Sequence, residues 1–271
     1  MRHKKISLTT VDGINIAGTH TISDGRAVVL WLHGITVNKD EYLDFFKEGA
    51  SFLGQYGIDS LRIDFRGHGD SGGTSLDFTI SGQMLDVEAA KAYLNTHYRN
   101  RPIALSLVGC SFGAPPAIFA AAQYSAEVHS IVLIAPVLSY LETFIEPSTD
   151  WARSLFNANT VGKLRQSNKL WFNDSFAISA VLYEEMSLID PTAFISKIQA
   201  PITLIHGTDD SMVPYQVSSR VAMHYNKLKL VSMEGMDHGF TDSNDEIGTN
   251  PKSIANKNRI FKTILKAAID E

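Results

Sequence analysis

Short runs of aliphatic and β-branched residues recur along this chain, each separated from the next by a stretch with helical spacing. The runs are 27–32, 60–63, 103–108, 130–134, 202–206 and 228–233. Several are apolar on both faces, as strands buried between two helical layers must be. Between them, Ile80, Met84, Val87, Ala90 and Leu94 form one stripe of an amphipathic helix. Residues 42–55, 115–122, 215–225 and 257–269 carry further helical patterns. At the start, 5–10 and 14–20 flank Asp12-Gly13 and read as a β-hairpin. Such alternation implies an α/β fold: a mostly parallel, doubly wound sheet with helices on both faces.

The alternation breaks between Val137 and Asp190. Eight aromatics fall there (Tyr140, Phe144, Trp151, Phe156, Trp171, Phe172, Phe176 and Tyr183), a density well above the 10% of the whole chain. The stretch is too long for a simple connection and is expected to be an inserted cap. The division predicted is a core of residues 1–136 and 191–271 with a cap of residues 137–190.

Charge and cysteine content remove several function classes. The formal charge of −5 lacks the basic balance of nucleic-acid binders. The longest apolar run, 114–122, is about half of the roughly 18 residues a membrane helix needs. Residues 6–12 follow a basic N-terminus but form no apolar signal core, so a cytoplasmic location is expected. A single cysteine, Cys110, permits neither an intramolecular disulfide nor a cysteine metal cluster. Oligomeric state is not legible.

The pattern Gly-x-Ser-x-Gly occurs twice, at 69–73 and at 109–113. Context separates the two copies. Gly109 ends a buried strand and Phe112 opens an apolar helix, so Ser111 sits on the strand-turn-helix corner that exposes a nucleophilic hydroxyl. Pro115 and Pro116 are expected to make the first helical turn irregular. Ser71 has no helix directly after it. Its Gly-Asp-Ser-Gly-Gly run also resembles the nucleophile segment of chymotrypsin-like proteases, which are all-β and contradict the alternation here. The overlapping Gly67-x-Gly69-x-x-Gly72 is a formal dinucleotide fingerprint. It should open into a helix and be followed by an acid ending the next strand. Asp86 and Glu88 fall inside a helix instead, so this is a turn-rich loop.

A serine hydroxyl needs a base, and the base needs an orienting carboxylate. His238 lies in a glycine-bracketed loop after the strand 228–233, and Asp209 and Asp210 lie in the loop after 202–206. Loops at strand C-termini are where open α/β sheets bind ligands. Either acid could instead cap the helix at 215–225, worth about 1 kcal/mol. A metal site built from His206, Asp209 and Asp210 is a further reading of the same residues, without a recognisable ligand spacing.

Together these segments identify the chain as resembling the α/β-hydrolase superfamily over nearly its full length. The motifs are Leu32-His33-Gly34, Asp64-Phe65-Arg66-Gly67-His68-Gly69-Asp70-Ser71, the corner at Ser111, His206-Gly207-x-x-Asp210-x-x-Val213-Pro214 and Asp237-His238-Gly239-Phe240. The resemblance implies a mostly parallel eight-stranded sheet flanked by helices, with the inserted cap. It assigns the triad acid to Asp210 and the oxyanion-hole N–H groups to Ile35 and Phe112. Within the superfamily the chain looks most like cinnamoyl/feruloyl esterases and monoacylglycerol-lipase-like hydrolases, although Cys110 stands where His or Asn is more usual.

The function implied is a serine carboxylic ester hydrolase working through an acyl-enzyme, with Ser111, Asp210 and His238 as the triad. No cofactor or metal is implied, and the partner is a small-molecule ester. The cap aromatics, Trp151 and Trp171 foremost, are the candidate substrate-binding residues and suggest an apolar or aromatic acyl group. Thioesterase or serine aminopeptidase chemistry on the same scaffold is the alternative. The non-enzyme reading, a ligand-binding module on a hydrolase fold, is opposed by the presence of all three triad members.

Overall fold

The computed structural model describes residues 1–242 and 244–270. The chain opens with β1 (Arg2–Thr9) and β2 (Asn15–Ile22), paired antiparallel around the Asp12-Gly13 turn. Then come β3 (Ala27–Leu32), α1 (Phe45–Gly54), β4 (Ile58–Ile63), α2 (Ile80–His97), β5 (Ala104–Cys110), α3 (Ala114–Gln123) and β6 (Val128–Ile134). The next stretch holds a π-helical turn (Leu141–Ile145), α4 (Asp150–Leu155), α5 (Ala158–Ser167), a two-stranded ribbon of β7 (Leu170–Trp171) and β8 (Ala177–Ile178), and α6 (Ala180–Leu188). The chain ends with β9 (Ile202–Gly207), α7 (Tyr215–His224), β10 (Leu228–Met233) and α8 (Pro251–Ile269).

Eight strands form one sheet in the order β1-β2-β4-β3-β5-β6-β9-β10. Pairing is antiparallel at β1/β2 and β2/β4 and parallel from β4 to β10. The period of two along β3 explains why both faces are covered. Val28, Leu30 and Leu32 pack on the side of α2, α3 and α7, while Val29 and Trp31 pack on the side of α1 and α8. Each such fully buried side chain contributes about 1.5–3 kcal/mol. The aromatics of the 140–188 stretch, among them Tyr140, Phe144, Phe156, Phe176 and Tyr183, are continuous with the first of these cores.

Most boundaries shift by a few residues from the sequence reading, and two helix starts differ for identifiable reasons. The helix expected from 42 begins at Phe45, because Glu41, Leu43 and Asp44 all have positive φ. The helix expected from 257 begins at Pro251, with the Asn250 side chain accepting the Ser253 N–H at 2.7 Å. The prolines after Ser111 fall at the start of α3, where missing donors cost nothing. The irregular turn lies just before them, as a 3-10 turn over Ser111–Gly113.

Candidate active site

Because β3, β5, β9 and β10 run parallel, their C-terminal loops emerge on one edge of the sheet. These loops carry Gly34-Ile35, Ser111, Asp210 and His238 respectively. At the end of β5 the chain turns so sharply that Ser111 takes φ 49°, a strained value for a residue with a side chain. The flanking glycines allow the turn. A Cβ on Gly113 would lie 2.0 Å from the Leu32 carbonyl oxygen, and one on Gly109 2.5 Å from that of Gly113.

Three of the predicted residues meet in a chain of hydrogen bonds. Ser111 Oγ lies 3.0 Å from His238 Nε2, and His238 Nδ1 lies 2.8 Å from Asp210 Oδ2. The Asp210 carboxylate is fully buried and the His238 side chain is 24% exposed. Asp210 Oδ1 accepts the Met212 and Val213 N–H groups at 2.9 and 2.8 Å, and Oδ2 also contacts His206 Nε2 at 3.1 Å. Burial alone would raise its carboxyl pKa. The His238 charge and the hydrogen bonds of His206 and His238 outweigh that and hold it well below the usual carboxylate range. His238 shows the converse: burial would lower it, but the charge and hydrogen bond of Asp210, then the charges of Glu41 and Asp237, leave it above its ordinary value.

The other predicted positions divide. Ile35 lines the cleft, and Phe112 is buried directly behind Ser111. Neither N–H has a hydrogen-bond acceptor among the described residues. Asp209 is exposed and accepts a hydrogen bond from Thr208 Oγ1. Neither acid caps α7, whose first turn follows Pro214 without a side-chain cap. Trp151 lines the cleft and its indole N–H donates to the Met212 carbonyl at 3.0 Å. Trp171, expected beside it, lies outside the cleft: it is 53% exposed, with Lys169 over its ring at 4.0 Å. Phe172, one residue on and therefore on the opposite side of the ribbon, lines the cleft instead.

Ser71 is occupied elsewhere. Its hydroxyl donates to the Asp64 carbonyl at 2.6 Å and accepts the Ala17 N–H at 2.8 Å, joining the glycine-rich loop to β2. Asp86 binds both the backbone N–H and the Nε of Arg66 at 2.9 Å, so the acid within α2 anchors this loop.

Three residues near the site, Asp237, His68 and Glu41, were given no role by the sequence reading, and a fourth, His206, was considered only as a metal ligand. His206 bonds the same Asp210 oxygen as His238. Asp237 Oδ1 accepts from Ser211 N, Ser211 Oγ and His238 N, tying the acid loop to the histidine loop. His68, driven down to a pKa of about 3 by burial, accepts the Thr36 N–H at 3.2 Å. Glu41 accepts the Gly34 N–H at 2.8 Å. His206, His68 and Asp237 stand in the quoted motifs, which was the available signal; Glu41 stands in none. His33, kept neutral by burial at about 4, donates from Nδ1 to the Gly34 carbonyl and accepts the Phe65 N–H on Nε2.

The cleft above Ser111 encloses about 430 Å³. Ile35, Val37, Val137, Phe144, Trp151, Phe172, Met212 and Val213 give it an apolar wall, and Glu41, Asp237 and Glu246 are its acidic residues. It is of a size that holds a small-molecule ligand.

The family model described as "Serine aminopeptidase, S33" matches residues 23–177, more than half of the chain. The chain belongs to this family of α/β-hydrolases. The chain is 26% identical over 216 residues to α/β hydrolase domain-containing protein 17C of Xenopus tropicalis, covering 79% of this chain and 56% of that protein. It thus spans little more than half of that relative's length. It is 24% identical over 275 residues to the bifunctional esterase/perhydrolase DCH of Acinetobacter calcoaceticus, covering 88% and 95% of the two chains. Among solved structures it superposes on Est1E from Butyrivibrio proteoclasticus, which has ferulic acid bound, with TM-score 0.74, 21% identity and coverage of 95% and 98%. That likeness is one of fold. No helix among the described residues is long and apolar enough to cross a membrane.

Proposed function

We propose that this hydrolase is a serine carboxylic ester hydrolase acting through an acyl-enzyme on esters with an apolar or aromatic acyl group. The observation that carries the reading is the continuous Ser111–His238–Asp210 hydrogen-bond chain at the floor of an apolar-walled cleft. His238 takes the Ser111 proton as the hydroxyl attacks the ester carbonyl. Asp210 holds the imidazole in the tautomer with its proton on Nδ1 and stabilises the imidazolium that forms. The N–H groups of Ile35 and Phe112 receive the developing oxyanion. His238 then protonates the leaving alcohol, and a water activated by the same ring releases the acid.

Residues 137–190 act in this reading as a cap over the core formed by 1–136 and 191–271. The cap roofs the cleft with Phe144, Trp151 and Phe172 rather than forming a separate core. Rings run without a break from behind the nucleophile into the cap: Phe112 to Phe144 at 5.7 Å, Phe144 to Trp151 at 6.2 Å, and Trp151 to Phe172 at 5.6 Å. An aromatic or branched acyl group matches that wall, in keeping with the ferulic acid bound to Est1E.

The test is a hydrolysis screen over p-nitrophenyl esters of graded chain length, hydroxycinnamate esters, acyl-CoAs and aminoacyl amides. Fastest turnover of aryl or medium-chain esters supports the proposal. Fastest turnover of aminoacyl amides would favour the aminopeptidase chemistry in the family's description, and of acyl-CoAs a thioesterase.

A further inference from the structure

Glu41 is a cleft residue for which the reaction above has no use. Its backbone lies at φ 63° and ψ 176°, a region essentially reserved for glycine. Leu43 and Asp44 follow at φ 52° and 57°, so the chain is contorted between β3 and α1. The side chain shows what the contortion achieves. Oε2 accepts the Gly34 N–H at 2.8 Å and Oε1 accepts the Tyr42 N–H at 3.1 Å. Gly34 in turn lies against the nucleophile, where a Cβ on it would sit 3.3 Å from Ser111 Cβ.

An oxyanion loop has to present one N–H to the cleft and keep its neighbours from competing. Here the neighbours on both sides are tied down. The Gly34 N–H is held by Glu41 and the Thr36 N–H by His68 Nε2, while the Gly34 carbonyl accepts from His33 Nδ1 at 2.7 Å. The Ile35 N–H between them has no acceptor among the described residues.

We propose that Glu41 is the positioning residue of the oxyanion loop: by holding the Gly34 N–H, its carboxylate fixes the register in which the Ile35 N–H faces the cleft. The inference deepens, and rests on, the acyl-enzyme reading of Ser111. Glycine at position 41 would relieve the backbone strain but supply no acceptor. Glu41 also lines the cleft with Ser111 and His238 rather than filling the core, so its bond to Gly34 acts beside the reacting atoms.

The experiment compares wild type, Glu41→Ala, Glu41→Gln and Glu41→Asp in p-nitrophenyl ester hydrolysis and in inhibition by an alkylboronic acid, a tetrahedral analogue. Gln keeps an oxygen within reach of the Gly34 N–H; Ala has none, and the Asp carboxylate falls short. Loss of a complete oxyanion donor costs about 10²–10³ in kcat, and a misplaced donor should cost less. Glu41→Ala and Glu41→Asp should lower kcat by roughly 10–100-fold and weaken the boronate by a similar factor, with KM within about threefold. Glu41→Gln should recover most of both. The proposal is overturned by a folded Glu41→Ala with unchanged kcat and boronate affinity, by Gln as impaired as Ala, or by Asp as active as wild type. Ser111→Ala is run alongside. Abolished activity there leaves the serine mechanism standing whatever Glu41 does, and retained activity would undo the underlying reading instead.

Discussion

His206 and His238 bind the same carboxylate oxygen of Asp210, at 3.1 and 2.8 Å. Nε2 of His206 also faces the Val213 carbonyl at 3.2 Å, so with acceptors on both sides that nitrogen carries the proton. Its Nδ1 then accepts from Ser218 Oγ at 2.7 Å. Asp210 is therefore held on Oδ2 by His206 and on Oδ1 by the Met212 and Val213 N–H groups, which fixes the oxygen that His238 meets.

Asp210→Asn should lower kcat by about 10²–10⁴, since Asn keeps the shape but favours the wrong imidazole tautomer; the corresponding change in the worked serine-protease case costs about 10⁴. Asp209→Asn, at an exposed side chain that accepts from Thr208 Oγ1, should cost less than about tenfold. Steady-state kinetics on both variants, with melting curves to confirm folding, decides between the two acids. The inverse ranking would move the orienting role to Asp209.

Replacing His206 by Phe keeps a ring and removes the donor. Losing a hydrogen bond to a charged group costs about 1.5–3 kcal/mol, so the melting temperature should fall. The kcat should fall about tenfold as Asp210 loosens, by roughly the 1.4 kcal/mol per decade that such a change represents. Unchanged kcat in a folded His206→Phe would mean that the Met212 and Val213 N–H groups hold Asp210 unaided.

Activity should rise with pH through the titration of His238, because only the neutral imidazole accepts the serine proton. Burial lowers that pKa, but Asp210, Glu41 and Asp237 raise it by more, so the acid limb of kcat/KM should have its midpoint above the ordinary 6.5. A pH–rate profile measures this directly. A midpoint below 6.5 would show that desolvation outweighs the carboxylates.

The two cap tryptophans should behave differently. Trp151→Ala opens the cleft wall and should change the ranking of acyl groups more than the rate on p-nitrophenyl acetate. Trp171→Ala, at an exposed ring under Lys169, should change neither. A specificity profile over four or five esters distinguishes them; equal slowing of all esters by Trp151→Ala would make that residue structural.

β3 was legible residue for residue because a strand buried on both faces leaves an unbroken apolar run, and β10, a half-exposed edge strand, was found with the same bounds from its alternating apolar residues. Gly109 and Gly113 mark the corner at Ser111 because backbone crowding there excludes any Cβ. The start of α8 was written in Asn250-Pro251, a cap followed by a first-turn proline, outside the apolar stripe that locates the rest of the helix. Other features leave no such trace. Nothing in Glu41-Tyr42-Leu43-Asp44 announces three positive φ angles, since none of these residues is glycine or asparagine. Which of Trp171 and Phe172 enters the cleft depends on one register step in a ribbon of two-residue strands, too short for a period to show.

Labelling with a fluorophosphonate probe followed by peptide mass spectrometry tests whether Ser111 is the covalent nucleophile. A single adduct is expected on the peptide carrying Ser111, with label and esterase activity both lost in Ser111→Ala. An adduct on Ser71, or full activity in a folded Ser111→Ala, would contradict that role.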